Sequence, residues 1–145
     1  MTENEIFAVD SNILIYNYDA SDLRKHAISK DLLDLCWNRH AALAVSSQNL
    51  SEFFYVTTRR NLLGKREAAE NIRDIVNFSG WMKIDFNHHT VLEAALLSEE
   101  YKMSYGDSLL AATVRENGIV NLYTENEKDF KIPWLRLVNP FTKSR

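Results

Sequence analysis

Residues 6–10 read Ile6-Phe7-Ala8-Val9-Asp10, an unbroken apolar run closed by a carboxylate. A run this short, apolar on both sides, suits a strand buried in the middle of a parallel sheet, not one with a wet face. Comparable runs return downstream as AALAVS (41–46), WMKIDF (81–86) and IVNLY (119–123). A weaker fifth candidate spans 136–141, limited by Pro133 and Pro140. In WMKIDF, Trp81, Lys83 and Asp85 alternate with Met82, Ile84 and Phe86.

The stretches between these runs carry helical spacing. SNILIYNY (11–18) reads as a turn, after which Ser21 offers an N-cap for a helix to about Arg39, with Leu23, Ala27, Ile28, Leu32, Leu35 and Cys36 on one face. Ser47 caps a helix whose inner face is expected to be Leu50, Phe53, Phe54 and Thr57. Ala68, Ala69, Ile72, Ile75 and Val76 place another helix over 65–78. Two more cover about 90–101 and 107–117, the second starting after a Tyr105-Gly106 break and stopped by Gly118. Strands separated by helices imply an α/β fold, a parallel sheet of four to five strands with helices on both faces.

At 145 residues, 46% of them apolar, the chain fits one domain over 1–145 and shows no linker or repeat. The lone cysteine, Cys36, fits a reducing cytoplasm. No apolar stretch reaches the ~18 residues of a membrane span, and MTENEIF lacks the basic-then-apolar order of a signal peptide. The expected location is the cytoplasm, with no membrane partner. A net charge of −3, from 17 basic and 20 acidic residues, argues against a coat protein with a broad basic face. It leaves room for an enzyme that grips a phosphate chain locally.

Four acids fall where strands stop or helices start. Asp10 ends the first strand, and Glu52 sits in the first turns of the helix after the second. Asp107 opens the helix DSLLAATVREN, and Asp129 closes TENEKDF beyond the fourth strand. In parallel sheets the working site lies beyond the carboxyl ends of the strands, and the alternation brings all four acids to that edge. Singly, each has a plainer reading as a cap or a loop residue. Together they suggest a site for Mg²⁺ or Mn²⁺, which prefer hard oxygen ligands. Such an ion acidifies bound water and offsets charge on a phosphoryl transition state, so phosphodiester hydrolysis needs no protein nucleophile. The helix N-termini beside Glu52 and Asp107 would favour carboxylates and phosphate.

FAVDSNILIY, SSQNLSEFFYVTTRR, MSYGDSLLAATVRENG and NLYTENEKDF, in that order and spacing, resemble the PIN-domain ribonucleases, most closely the VapC-type toxins of toxin–antitoxin pairs. The likeness covers about residues 6 to 140. It implies a Rossmann-like fold and a single-strand RNA endonuclease using Mg²⁺ or Mn²⁺. The family's acids match Asp10, Glu52 and Asp107. Ser11 and Asn12 fall in its polar turn, and Thr124 matches a threonine whose hydroxyl could orient metal-bound water. The chain departs at the fourth acid: many relatives have Asp where Asn126 stands, so the acid is assigned to Asp129 of Lys128-Asp129-Phe130, with Asn126 as a polar accessory. Glu125 and Glu127 are expected to be solvated.

Arg59, Arg60, Lys65 and Arg66 form the strongest basic cluster and could hold RNA phosphates, or simply be a solvated helix end whose cations suit the dipole. Tyr16 and Tyr18 could stack on bases, though core or dimer packing accounts for them too. His88-His89 lacks the spacing of a zinc site. An Asp-nucleophile phosphatase would need a second Asp where Asn12 stands. Three readings stay open: the toxin of a type II pair, a housekeeping RNA-processing nuclease, and a PIN-like protein-binding module. The short chain favours the first, and the three retained acids speak against the last. The toxin reading implies an antitoxin partner, and the family implies a homodimer, for which Phe53, Phe54 and Tyr55 could supply apolar surface.

Overall fold

The computed structural model describes residues 5–142. Among them, β1 (Ile6–Val9), β2 (Ala42–Ser46), β3 (Trp81–Ile84), β4 (Asn121–Tyr123) and β5 (Arg136–Val138) form one sheet in the order β3-β2-β1-β4-β5. Every pairing is parallel. The helices are α1 (Ser11–Tyr16), α2 (Leu23–Trp37), α3 (Ser47–Arg59), α4 (Lys65–Asn77), α5 (His88–Tyr101) and α6 (Tyr105–Glu116). The expected α/β architecture with a central parallel sheet is what the chain adopts.

Strand side chains alternate between faces, and the core divides accordingly. Phe7, Val9, Leu43, Val45 and Trp81 join Ile13, Leu14, Leu33, Phe53 and Ile75 from α1 to α4. Ala8, Ala44 and Leu122 meet Leu110, Ala111 and Val114 of α6 on the opposite face. The alanines at 8, 44 and 111 are 0–1% exposed, and their size lets α6 lie close on the sheet. With α5 packed behind it through Ala94, Leu97, Leu109 and Ala112, α6 is buried without a break from Ser108 to Val114.

Several local expectations are corrected. SNILIY is a helix, not a turn: Asp10 accepts the Ser11 N–H and caps it, and Ile13, Leu14 and Ile15 are all buried. The caps of α2 and α3 are Asp22 and Ser46, one residue from Ser21 and Ser47. Tyr105 and Gly106 belong to α6, whose cap Ser104 accepts the Asp107 N–H. On α2, Leu23 and Leu35 are exposed, and the buried positions are Ser29, Leu33 and Cys36. In β3 the alternation holds: Trp81 packs in the first cluster and Met82 and Ile84 in the second, so both faces of the strand carry buried residues. Gly118 takes φ 73 just after α6, a left-handed position that favours glycine. Phe53 is 2% exposed and belongs to the core, so in this fold it offers no surface to a partner.

Candidate active site

Asp10 leaves β1 where the sheet order reverses, with β2 on one side and β4 on the other. That crevice is where open α/β sheets bind ligands. Its backbone N–H donates to the Tyr123 carbonyl at 2.9 Å, fixing it to the end of β4. One carboxylate oxygen, Oδ1, accepts the Ser11 N–H at 2.8 Å. The other, Oδ2, accepts the Thr124 hydroxyl at 2.8 Å. Thr124 is fully buried, and its Oγ1 accepts the Asn126 N–H at 3.0 Å. That contact leaves the hydroxyl proton free to point at Asp10.

Asp10 is 8% exposed. Burial pushes its carboxyl from 3.8 up to about 6; the Thr124 and Ser11 hydrogen bonds pull it back, and the charges of Asp107 and Glu52 push it up. Asp107, half-buried in the first turn of α6, is also pushed up, chiefly by burial and further by Asp129, against an opposing contact with Ser104. The chain therefore brings Asp10, Glu52, Asp107 and Asp129 within one another's fields in sequence around the sheet edge. Glu52 and Asp129 lie at the exposed rim, Asp129 at the end of a 3₁₀ turn (Glu127–Asp129).

The donor set is all hard oxygen, and the repulsion that Asp107 and Glu52 exert on the buried Asp10 carboxyl is what a cation would relieve. Among the described residues no three His, Cys, Asp or Glu side chains stand close enough to clasp an ion. The arrangement fits an ion held by one or two carboxylates with water and substrate oxygens completing its shell, as Mg²⁺ is commonly held.

A groove of about 600 Å³ runs from this edge between α1 and α3, lined by Ser11, Asn12, Glu52, Tyr55, Asp19 and Arg60 among others. Arg60 donates to Asp19 Oδ2 at 2.6 Å, and the Ser21 N–H donates to Oδ1 at 3.0 Å. Contacts from Ser21 first, then Arg60, hold the Asp19 carboxyl down at about 2. A carboxyl lowered from 3.8 to 2 contributes stability above pH 3.8 that is lost as pH falls through 2. Asp19→Asn is therefore expected to cost about 1–2 kcal/mol at pH 7. Urea titrations should show that gap narrowing between pH 4 and pH 2; a constant gap would mean that charge is not the cause.

Of the other basic candidates, Arg59 caps the dipole at the end of α3 and reaches the Tyr55 hydroxyl. Lys65 and Arg66 are exposed in the first turn of α4, the wrong end for cations to suit the dipole. Only Arg60 of the four lines the groove. Tyr16 and Tyr18 pack edge-on against Phe141 and Phe53. His88 and His89 are exposed at the start of α5. The Asn126 side chain caps nothing in the 3₁₀ turn.

Glu125 is not solvated as expected: it accepts the Tyr16 hydroxyl and pairs with Lys25. Glu127 accepts from Asn139 at 3.0 Å. Sequence reasoning also passed over Asn49. It is fully buried, takes the Ser46 hydroxyl on Oδ1 at 2.8 Å and extends Nδ2 to Glu52 at 3.4 Å. An Asn inside a helix, where it is a poor former, was the available signal.

A family model described as the PIN domain matches residues 7–133. A search of curated proteins finds no match. Among solved structures, the chain is similar to one of VapBC2 from Rickettsia felis bound to a promoter DNA fragment, at 23% identity and TM-score 0.65, covering 92% of this chain and 98% of that one. It is similar to a toxin–antitoxin complex from Klebsiella pneumoniae at 21% identity and TM-score 0.64, covering 92% and 97%. Mycobacterium tuberculosis VapC20, a Sarcin-Ricin loop cleaving toxin, matches at 20% identity and TM-score 0.63, covering 88% and 98%. At these identities the likeness is one of fold.

Proposed function

Since the chain belongs to the PIN-domain family of nucleases, we propose that it is a metal-dependent endoribonuclease that hydrolyses phosphodiester bonds in single-stranded RNA. The observation that carries this reading is the state of Asp10: buried at the switch point, held on both oxygens, and repelled by Glu52 and Asp107. A Mg²⁺ or Mn²⁺ ion bound here would acidify a water and offset charge on the phosphoryl group.

Asp10 and Asp107 would hold it, with Glu52 and Asp129 at the rim. Thr124 holds the Asp10 carboxylate through Oδ2 and the Ser11 N–H holds it through Oδ1, so that the group keeps one orientation. Asn49 reaches one oxygen of Glu52 through a longer contact of 3.4 Å. Ser11 donates its backbone N–H to the Asp10 carboxylate, and Asn12 lines the groove beside it. Arg60 stands further along that groove, where it could meet a phosphate or a base.

The toxin of a type II toxin–antitoxin pair, acting in the cytoplasm as a single domain over 1–145, is the biological role the fold neighbours favour. The groove supports it: Asp19, Asp22 and Glu52 outnumber Arg60 among its lining charges. A cationic C-terminal antitoxin segment, bringing an Arg near the carboxylates, would fit there and compete with metal. An antitoxin complex whose groove stays open to Mg²⁺ would argue against that mode. A homodimer is part of the same proposal, as the family resemblance implies.

Cleavage of a labelled single-stranded RNA, with Mg²⁺, with Mn²⁺ and with EDTA, tests the activity. Cutting should require metal and be lost in Asp107→Ala as in Asp10→Ala. Folded wild-type protein that cuts none of several RNA pools would favour a non-catalytic binding module.

A further inference from the structure

We propose that Lys25, Glu125 and Tyr16 form a positioning clamp that holds Thr124 against Asp10, an inference that rests on the nuclease reading above. Glu125 directly follows Thr124, on the loop that leaves β4. Both of its carboxylate oxygens are held, each from a different helix. Lys25 Nζ of α2 lies 2.8 Å from Oε2, and the Tyr16 hydroxyl of α1 donates to Oε1 at 2.9 Å. Lys25 also stands 3.5 Å from the Tyr16 hydroxyl and over the rings of Tyr16 and Phe141 at 5.3 and 5.6 Å. Asn139 Nδ2 holds the Glu125 backbone carbonyl at 3.5 Å.

This is unlike a surface pair. The side chains of Lys25 and Glu125 are 30% and 19% exposed, against 59% and 45% for Lys30 and Asp34. An exposed pair contributes little; a shielded one with a second hydrogen-bond donor on its carboxylate restrains geometry as well. The part of the loop it restrains adjoins the site directly, since the Thr124 side chain meets Asp10; Asp129, further along, lies beyond the clamp. The Thr124 N–H donates to Val138 at 3.0 Å, tying its backbone to β5. From the opposite side the clamp ties the next residue to α1 and α2. Released from it, Glu125 would swing outward and take the Thr124 hydroxyl off the Asp10 line.

Lys25, Glu125 and Tyr16 are thus positioning residues that act through Thr124. The test is single-turnover cleavage of a labelled single-stranded RNA with Mn²⁺. It compares wild type, Glu125→Gln, Lys25→Met, Lys25→Arg, Thr124→Val and the Thr124→Val/Glu125→Gln double variant. Glu125→Gln and Lys25→Met are expected to lower the rate about tenfold with little change in RNA affinity, the scale of losing an orienting partner. Lys25→Arg should retain most of the rate. In the double variant the losses should not multiply, because the same contact is already gone.

Multiplying losses, or unchanged rates, would overturn the clamp. So would losses that track only a fall in melting temperature. Amide exchange of Asn126, whose N–H rests on Thr124, supplies a readout free of metal and RNA: it should quicken in Glu125→Gln. Wild type that cuts no RNA would instead remove the nuclease reading. The Asn126 exchange would then decide the clamp alone, unchanged protection refuting it.

Discussion

Asp10→Asn is expected to abolish RNA cleavage and, at neutral pH without metal, to make the protein more stable. If Asp10 stands at the reacting centre as proposed, loss of its preorganised charge costs roughly 10²–10³-fold or more. The gain in stability follows from linkage. In the folded protein the Asp10 carboxyl is raised from 3.8 to about 6, so between those values the native state binds more protons than the unfolded chain. Stability from this group is full below pH 3.8, falls as pH rises toward 6, and stays lost above it. Two pH units at 1.36 kcal/mol each make the ionised carboxylate a liability of about 3 kcal/mol at pH 7.5.

Asn cannot ionise and can still accept the Ser11 N–H. In EDTA the Asn variant should melt higher than wild type by roughly 5 °C or more at pH 7.5. At pH 4 the two should converge. Mn²⁺ should then raise the wild-type midpoint and leave the variant nearly unmoved. A variant that melts at or below wild type at pH 7.5 would show that Asp10 is not the strained charge described here.

The alternation of strands and helices was legible because each buried strand is a short apolar run, and a parallel sheet leaves long helical stretches between them. Asp10 was legible for the same reason, as the polar residue that ends such a run. The helix α1 was not: with six residues it spans under two turns, and Ile13, Leu14 and Ile15 are buried in succession, so no helical period survives. The cap of α3 was read one residue late because Ser46 and Ser47 offer the same hydroxyl, and only backbone geometry separates them.

The face of α2 was read in part: Ile28, Leu32 and Cys36 pack on the core as expected, but Leu23 and Leu35 are exposed while the small Ser29 is buried. Pairings across the chain were out of reach altogether. Arg60 meets Asp19 at a separation of 41 residues, and Lys25 meets Glu125 at 100. Local spacing encodes neither, and both bear on the groove or the loop that frame the acids. The four acids could be brought to one edge by topology alone, but their order of coupling, Glu52 to Asp10 to Asp107 to Asp129, needed coordinates.

Phe53→Ala is expected to be among the most destabilising single changes, although it removes no charge and adjoins Glu52. The ring is 2% exposed and packs edge-on against Tyr18, centroids 5.7 Å apart at 63°. It belongs to the cluster that joins α3 to Leu14, Leu33, Ile75 and Trp81. Truncating a buried Phe to Ala costs about 3–5 kcal/mol, transfer and cavity together, against a total stability of roughly 5–15 kcal/mol. With a urea slope of about 2 kcal/mol/M, the midpoint should fall by about 2 M. Phe53→Leu, which keeps most of the volume, should lose far less.

Two residues on, Tyr55 is 58% exposed, and Tyr55→Ala should lie within about 0.5 kcal/mol of wild type. The contrast matters for the site, because α3 carries Glu52 on its outer side and Phe53 on its inner side. Packing by Phe53 holds the helix that aims Glu52 at the sheet edge. Phe53→Leu should therefore keep cleavage close to wild type, while Phe53→Ala loses it only in step with the folded fraction. Equal midpoint shifts for Phe53→Ala and Tyr55→Ala would mean that α3 is not seated on the sheet as described.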